Sequence, residues 1–127
     1  MRSELPEPWR GFLTDLDEKV KFEIALHCLG GFVVTACYGL PRPTGDLDVL
    51  VILPSDSQSA LVALAGKSSD LHKKHGVCLD VVTGATCPEN YEERLVEVFP
   101  GVCQHIRLFA LDPYDLVLAK LERKSST

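Results

Sequence analysis

With 127 residues and 14.0 kDa, the chain has room for one domain, residues 1–127, built around a single core. Hydrophobic residues make up 46% and charged residues 24%, the mix of an ordinary soluble globular protein, and no apolar run is long enough to span a bilayer. The formal net charge of −5 argues against broad electrostatic binding of nucleic acid and leaves room only for a local basic patch.

The acidic, Pro-containing N-terminus is unlike a signal peptide. Cys28, Cys37, Cys78, Cys87 and Cys103 are odd in number and lack any CxxC spacing. They read as reduced thiols in a cytoplasmic protein, most of them small core hydrophobes.

In chain order, residues 1–10 form an irregular Pro- and Glu-rich lead-in, with Trp9 available to pack down. Thr14 followed by Asp17 resembles a capping box with Asp in place of Glu. Leu13, Leu16, Val20 and Ile24 follow helical spacing, which predicts a helix over roughly 14–24 with Glu18, Lys19, Lys21 and Glu23 facing water. Ala25 to Leu29 reads as a short edge strand. Gly30-Gly31 then opens a second helix, roughly 31–38, which Gly39 ends. The glycine pair is either a tight strand-to-helix turn or a place where backbone N–H groups approach phosphate closely. Pro41-Arg42-Pro43-Thr44-Gly45 is a rigid turn. Its Arg42 is either solvated or aimed at phosphate or at Asp46.

Asp46-x-Asp48 opens the run Val49 to Leu53, whose aliphatic, β-branched composition predicts a strand buried on both faces. Strand side chains alternate, so the two carboxylates project on one side, about 7 Å apart along the strand. Like charges at the mouth of a buried strand call for a cation, and oxygen-only ligation points to Mg²⁺ or Mn²⁺. Pro54 to Ser57 marks a turn and cap before a helix of roughly 56–73, with Ala60, Leu61, Leu64, Ala65 and Leu71 inward. His72 and His75 sit at its C-terminal end, where positive charge suits the helix dipole.

Val77 to Thr83 is a further buried-looking strand with Asp80 at its centre. That carboxylate either pairs with an Arg or backbone amides, or joins Asp46 and Asp48 around the cation. Pro88 to Phe99 reads as an amphipathic helix with Tyr91, Leu95 and Val98 or Phe99 inward. Val102 to Leu111 reads as a strand with Val102, Ile106, Leu108 and Ala110 on one face, and His105 and Arg107 on the other, either solvated or lining the site. Asp112-Pro113 caps a last helix whose Leu116, Val117, Leu118, Ala119 and Leu121 pack inward and whose end, Lys120 to Lys124, is basic.

Together, Gly30-Gly31, Asp46-x-Asp48 and Asp80 resemble the motif of the nucleotidyltransferase superfamily, the polymerase-β-like fold. The phrase Leu29-Gly30-Gly31, Tyr38-Gly39, Arg42-x-Thr44-x-Asp46-x-Asp48, with the terminal Asp112-to-Arg123 stretch, is similar to the bacterial subgroup related to abortive-infection toxins of toxin–antitoxin systems. The resemblance implies an α/β (α+β) fold, a small mixed β-sheet flanked by helices. It implies Mg²⁺- or Mn²⁺-dependent transfer of a nucleoside monophosphate from an NTP to an acceptor hydroxyl on tRNA or protein, with an antitoxin-like protein as partner. Asp46, Asp48 and Asp80 are then the catalytic and metal-binding residues. Gly30, Gly31, Arg42 and Thr44 hold phosphates, and Lys120 neutralises phosphate charge, on the resemblance alone. Related proteins continue past this point into further helices, so relative to them the chain lacks a C-terminal helical extension. The competing class is a non-catalytic module of the same fold, kept for nucleotide sensing or partner binding.

Overall fold

The computed structural model describes residues 4–39, 45–82 and 90–116. Along the chain the described elements are α1 (Trp9–Lys19), β1 (Ile24–Leu29), α2 (Gly30–Phe32, continued by a π-helical turn over Val33–Cys37), β2 (Asp46–Leu53), α3 (Gln58–Ala65), α4 (Asp70–His75), β3 (Cys78–Val81), β4 (Val96–Val98) and β5 (Ile106–Ala110). The strands form one mixed sheet in the order β3-β2-β1-β5-β4. Pairs β2–β3 and β1–β5 are parallel, and pairs β1–β2 and β4–β5 antiparallel. This is the α+β architecture expected.

Side-chain alternation divides the sheet's residues between two cores. Ile24, Leu26 and Cys28 of β1, Leu47 and Val49 of β2, and Ile106, Leu108 and Ala110 of β5 pack with Trp9, Phe12, Leu13, Leu16, Phe32, Val33, Leu61 and Leu71 from the helices. A smaller cluster on the other face joins Leu29, Val82 and Leu111 to Leu50, Tyr91, Leu95 and Leu116. Asp46 and Asp48 alternate with Leu47 and Val49, so they belong to the second face, away from the helical layer.

Several sequence expectations are corrected. The first helix runs over Trp9–Lys19, not 14–24, because its buried stripe is Trp9, Phe12, Leu13 and Leu16. Val20 is already extended, and Ile24 begins β1. Thr14 is no cap: its hydroxyl donates to the carbonyl oxygens of Arg10 (2.8 Å) and Gly11 (3.2 Å). Asp17 turns inward and accepts from the N–H groups of Gln104, His105 and Ile106 at 2.8, 2.8 and 2.9 Å. Strand β1, expected at an edge, lies at the centre, because β5 returns to pair with it in parallel.

Strand β2 is buried through Leu47, Val49 and Ile52 only; its other face is half open. The helix expected over 56–73 is broken into α3 and α4. Gly66 is extended after α3, Ser68 has φ 70°, and Ser69 caps α4 by accepting from the His72 N–H. The helix expected over 88–99 is, from Tyr91 onward, a 3-10 turn (Tyr91–Arg94) followed by strand β4. The alternation Val96-Glu97-Val98 suits an edge strand, and β5 supplies its partner, Val98 opposite Leu108. β5 itself starts at Ile106, after the segment that Asp17 holds. Asp112 does cap: its Oδ1 accepts from the Asp115 N–H at 2.8 Å, and residues 113–116 are helical.

Candidate functional site

Two tripeptides of similar sequence, Asp46-Leu-Asp48 and Cys78-Leu-Asp80, run side by side. Parallel pairing of β2 with β3 sets Asp46 opposite Cys78 and Asp48 opposite Asp80. All four side chains therefore share the face that Leu47 and Leu79 do not use. One carboxylate oxygen from each of Asp46, Asp48 and Asp80 lies within 4.8 Å of the other two. Asp46 and Asp80 are exposed and Asp48 is half-buried.

Three anionic oxygens at that spacing repel each other strongly unless a positive charge joins them. The donor set is all hard oxygen, open to solvent on one side, which fits Mg²⁺ or Mn²⁺ with water or phosphate completing the shell.

Asp80 differs from expectation in one respect. It is not in the middle of a buried strand: β3 is the sheet's edge and Asp80 is exposed. What singles it out is its register with Asp48. Arg107, on a strand of the same sheet, is not a partner of Asp80. Its guanidinium binds Glu97 (3.0 Å) and Glu23 (3.4 Å), lies over the Phe109 ring, and sits on β5, separated from β3 by both β2 and β1. Arg107 thus lines no part of the acidic site.

The glycine turn meets the acids directly. Leu29, the last residue of β1, pairs with Asp48. Gly30 follows with φ +74°, and a Cβ built on it would lie 2.4 Å from Asp48 Oδ2. Its conformation favours glycine, and any Cβ there would push the Asp48 carboxylate aside. Gly31 is half-exposed in the same turn, and its carbonyl accepts from the Thr35 hydroxyl at 2.8 Å. Arg42, Thr44 and Lys120 lie outside the described residues. The structure thus gathers Asp46, Asp48, Asp80 and Gly30 in one place, with Gly31 adjoining.

Cys78, one of the five cysteines expected as reduced thiols, is buried and free, but it also touches the site. Its Sγ donates to Asp46 Oδ1 at 3.4 Å. Burial, that hydrogen bond and the charges of Asp46 and Asp80 push the thiol up to about 11. The signal for it was present in the repeated x-Leu-Asp pattern of the two strands. A second unanticipated pair involves the central strand: His27 Nδ1 is 3.1 Å from the Tyr91 hydroxyl, with Phe109 edge-on to the imidazole. Burial holds His27 below its ordinary value, against a smaller upward pull from Glu92.

No curated protein and no solved structure matches the chain. The sequence model of one family, described as "Nucleotidyltransferase of unknown function (DUF6036)", does match, over residues 13–127. That span takes in both glycines, all three converging carboxylates and Cys78, and the chain belongs to this nucleotidyltransferase family.

Proposed function

We propose that the protein is a metal-dependent nucleotidyltransferase that moves a nucleoside monophosphate from an NTP to an acceptor hydroxyl on RNA or protein. The observation that carries this reading is the convergence of three carboxylates from adjacent strands beside a glycine turn, in a chain of a nucleotidyltransferase family.

Asp46 and Asp48 would hold the cation together with the triphosphate, and Asp80 would complete the site from the neighbouring strand. A bound Mg²⁺ or Mn²⁺ supplies positive charge to the phosphates and makes the acceptor hydroxyl easier to deprotonate. The acceptor oxygen forms a bond to the α-phosphorus while the bond from that phosphorus to the bridging oxygen breaks, and pyrophosphate leaves. The acceptor's proton passes to a carboxylate oxygen of Asp80. Gly30 and Gly31, with Arg42 and Thr44, are assigned to the β- and γ-phosphates, and Lys120 to residual phosphate charge. The cytoplasmic location and the antitoxin-like partner belong to the same reading and come from the toxin-related resemblance.

The test is a transfer assay with labelled ATP, CTP, GTP and UTP against total RNA and cell lysate, with Mn²⁺ and with EDTA. Label should appear on one acceptor class, from a preferred nucleotide, only with metal. Metal-dependent NTP binding without transfer would instead make the domain a nucleotide sensor.

A further inference from the structure

The mechanism above gives Cys78 no role, yet the thiol lies in the floor of the acidic site. Its Cα is in register with Asp46 and its N–H donates to Gly45 O at 3.0 Å. The side chain is 5% exposed, with its Sγ 3.4 Å from Asp46 Oδ1. The three atoms that converge within 4.8 Å are carboxylate oxygens, and the sulfur is not among them. It touches a candidate ligand without being one.

The two carboxylates of β2 are restrained from different sides. Asp48 is half-buried and lies against the backbone of Gly30. Asp46 is the first residue of the strand and is exposed, and the Cys78 thiol reaches it from the neighbouring strand. A donor fixed in this way on a buried residue favours one orientation of the carboxylate it bonds. A carboxylate oxygen can accept this bond and still offer lone pairs to a metal.

We propose that Cys78 is a positioning residue of the metal site, whose S–H holds the Asp46 carboxylate in the orientation that faces Asp48 and Asp80. The inference rests on the metal-binding reading of those three residues. Groups in this outer position typically change metal affinity by tenfold or more when removed. A cysteine kept only for packing would have no such effect.

The experiment is titration calorimetry of the full chain with Mn²⁺ alone, on the parent, Cys78→Ala and Cys78→Ser, with thermal melts in EDTA. Cys78→Ala should weaken Mn²⁺ binding about tenfold while leaving the EDTA melt close to the parent's. Cys78→Ser, which restores a donor at the same Cβ, should recover most of that loss. Parental affinity in Cys78→Ala, or an equal loss in Cys78→Ser, overturns the proposal and leaves the metal reading standing. A parent that binds no Mn²⁺ overturns both. If Cys78→Ala melts early in EDTA, Cys78→Val carries the test, since it fills the volume without a donor; parental affinity there refutes the positioning role.

Discussion

Gly30 and Asp48 compete for one small volume. A methyl group on Gly30 would stand 2.4 Å from Asp48 Oδ2, and Gly30 also holds φ +74°. The first half of the sequence motif therefore serves the second half: the glycine leaves space for the carboxylate. Gly30→Ala should cost about 1–2 kcal/mol from the left-handed backbone alone. It should also swing Asp48 out of the convergence. The expected outcome is a folded protein with a lower melting temperature and Mn²⁺ binding reduced by more than the Cys78→Ala loss. Calorimetry showing parental Mn²⁺ affinity would mean that Asp48 relaxes without consequence.

Arg94 and Arg107 look alike in sequence and differ in what they leave behind when removed. Arg94 makes two 2.9 Å bonds to Asp115, whose side chain is fully buried. Arg107 pairs with Glu97 and Glu23, which reach solvent. Removing one partner of a buried pair strands an uncompensated charge, whereas exposed pairs contribute little. Arg94→Met should lower the melting temperature clearly and Arg107→Met only slightly. Equal shifts in a thermal melt would contradict this.

The site was more legible than the frame around it. Asp46, Asp48 and Asp80 stand out because a carboxylate in an aliphatic, β-branched run is anomalous at short range, and period-two alternation alone assigns two of them to one face. Where a strand lies in a sheet is a long-range property, so β1 read as an edge when β5 makes it central. Asp17 looked like a helix cap because its partners are 87 to 89 residues away. The stretch after Pro88 has helical composition, yet Val96–Val98 becomes a strand because β5 offers an edge to pair with. Nothing in the spacing of the five cysteines singles out Cys78, since only the register of β3 on β2 brings it to Asp46.

His27 makes the stability of the fold sensitive to mild acid. Burial, opposed by the nearby charge of Glu92, lowers its folded pKa below the ordinary 6.5. Above that value both folded and unfolded chains carry a neutral imidazole, so His27 adds no pH dependence. As the pH falls below about 6.5 the unfolded chain takes up a proton first, and stability declines until the folded pKa is passed. His27→Phe keeps an aromatic ring against Phe109 and Tyr91 but cannot titrate. Chemical denaturation at pH 7.5 and 5.5 should show a smaller loss in this variant than in the parent. An identical loss in both would assign the effect to other groups.

Asp80 separates an enzyme from a nucleotide-binding relic. Asp46 and Asp48 come from one strand, and in the proposed function they would hold the cation together with the triphosphate. Asp80 comes from the edge strand β3, exposed and in register with Asp48, and is the carboxylate assigned to the acceptor's proton. Asp80→Asn preserves shape and removes both the charge and the base. Affinity for Mn²⁺ with ATP should therefore fall by less than about tenfold, because two carboxylates remain, while transfer falls by about 10²-fold or more. Asp46→Asn, by contrast, should lose binding and transfer together. A split between binding and rate in Asp80→Asn but not in Asp46→Asn would mark Asp80 as the acceptor-side residue. Transfer by Asp80→Asn at the parental rate would show that Asp80 only closes the edge of the sheet.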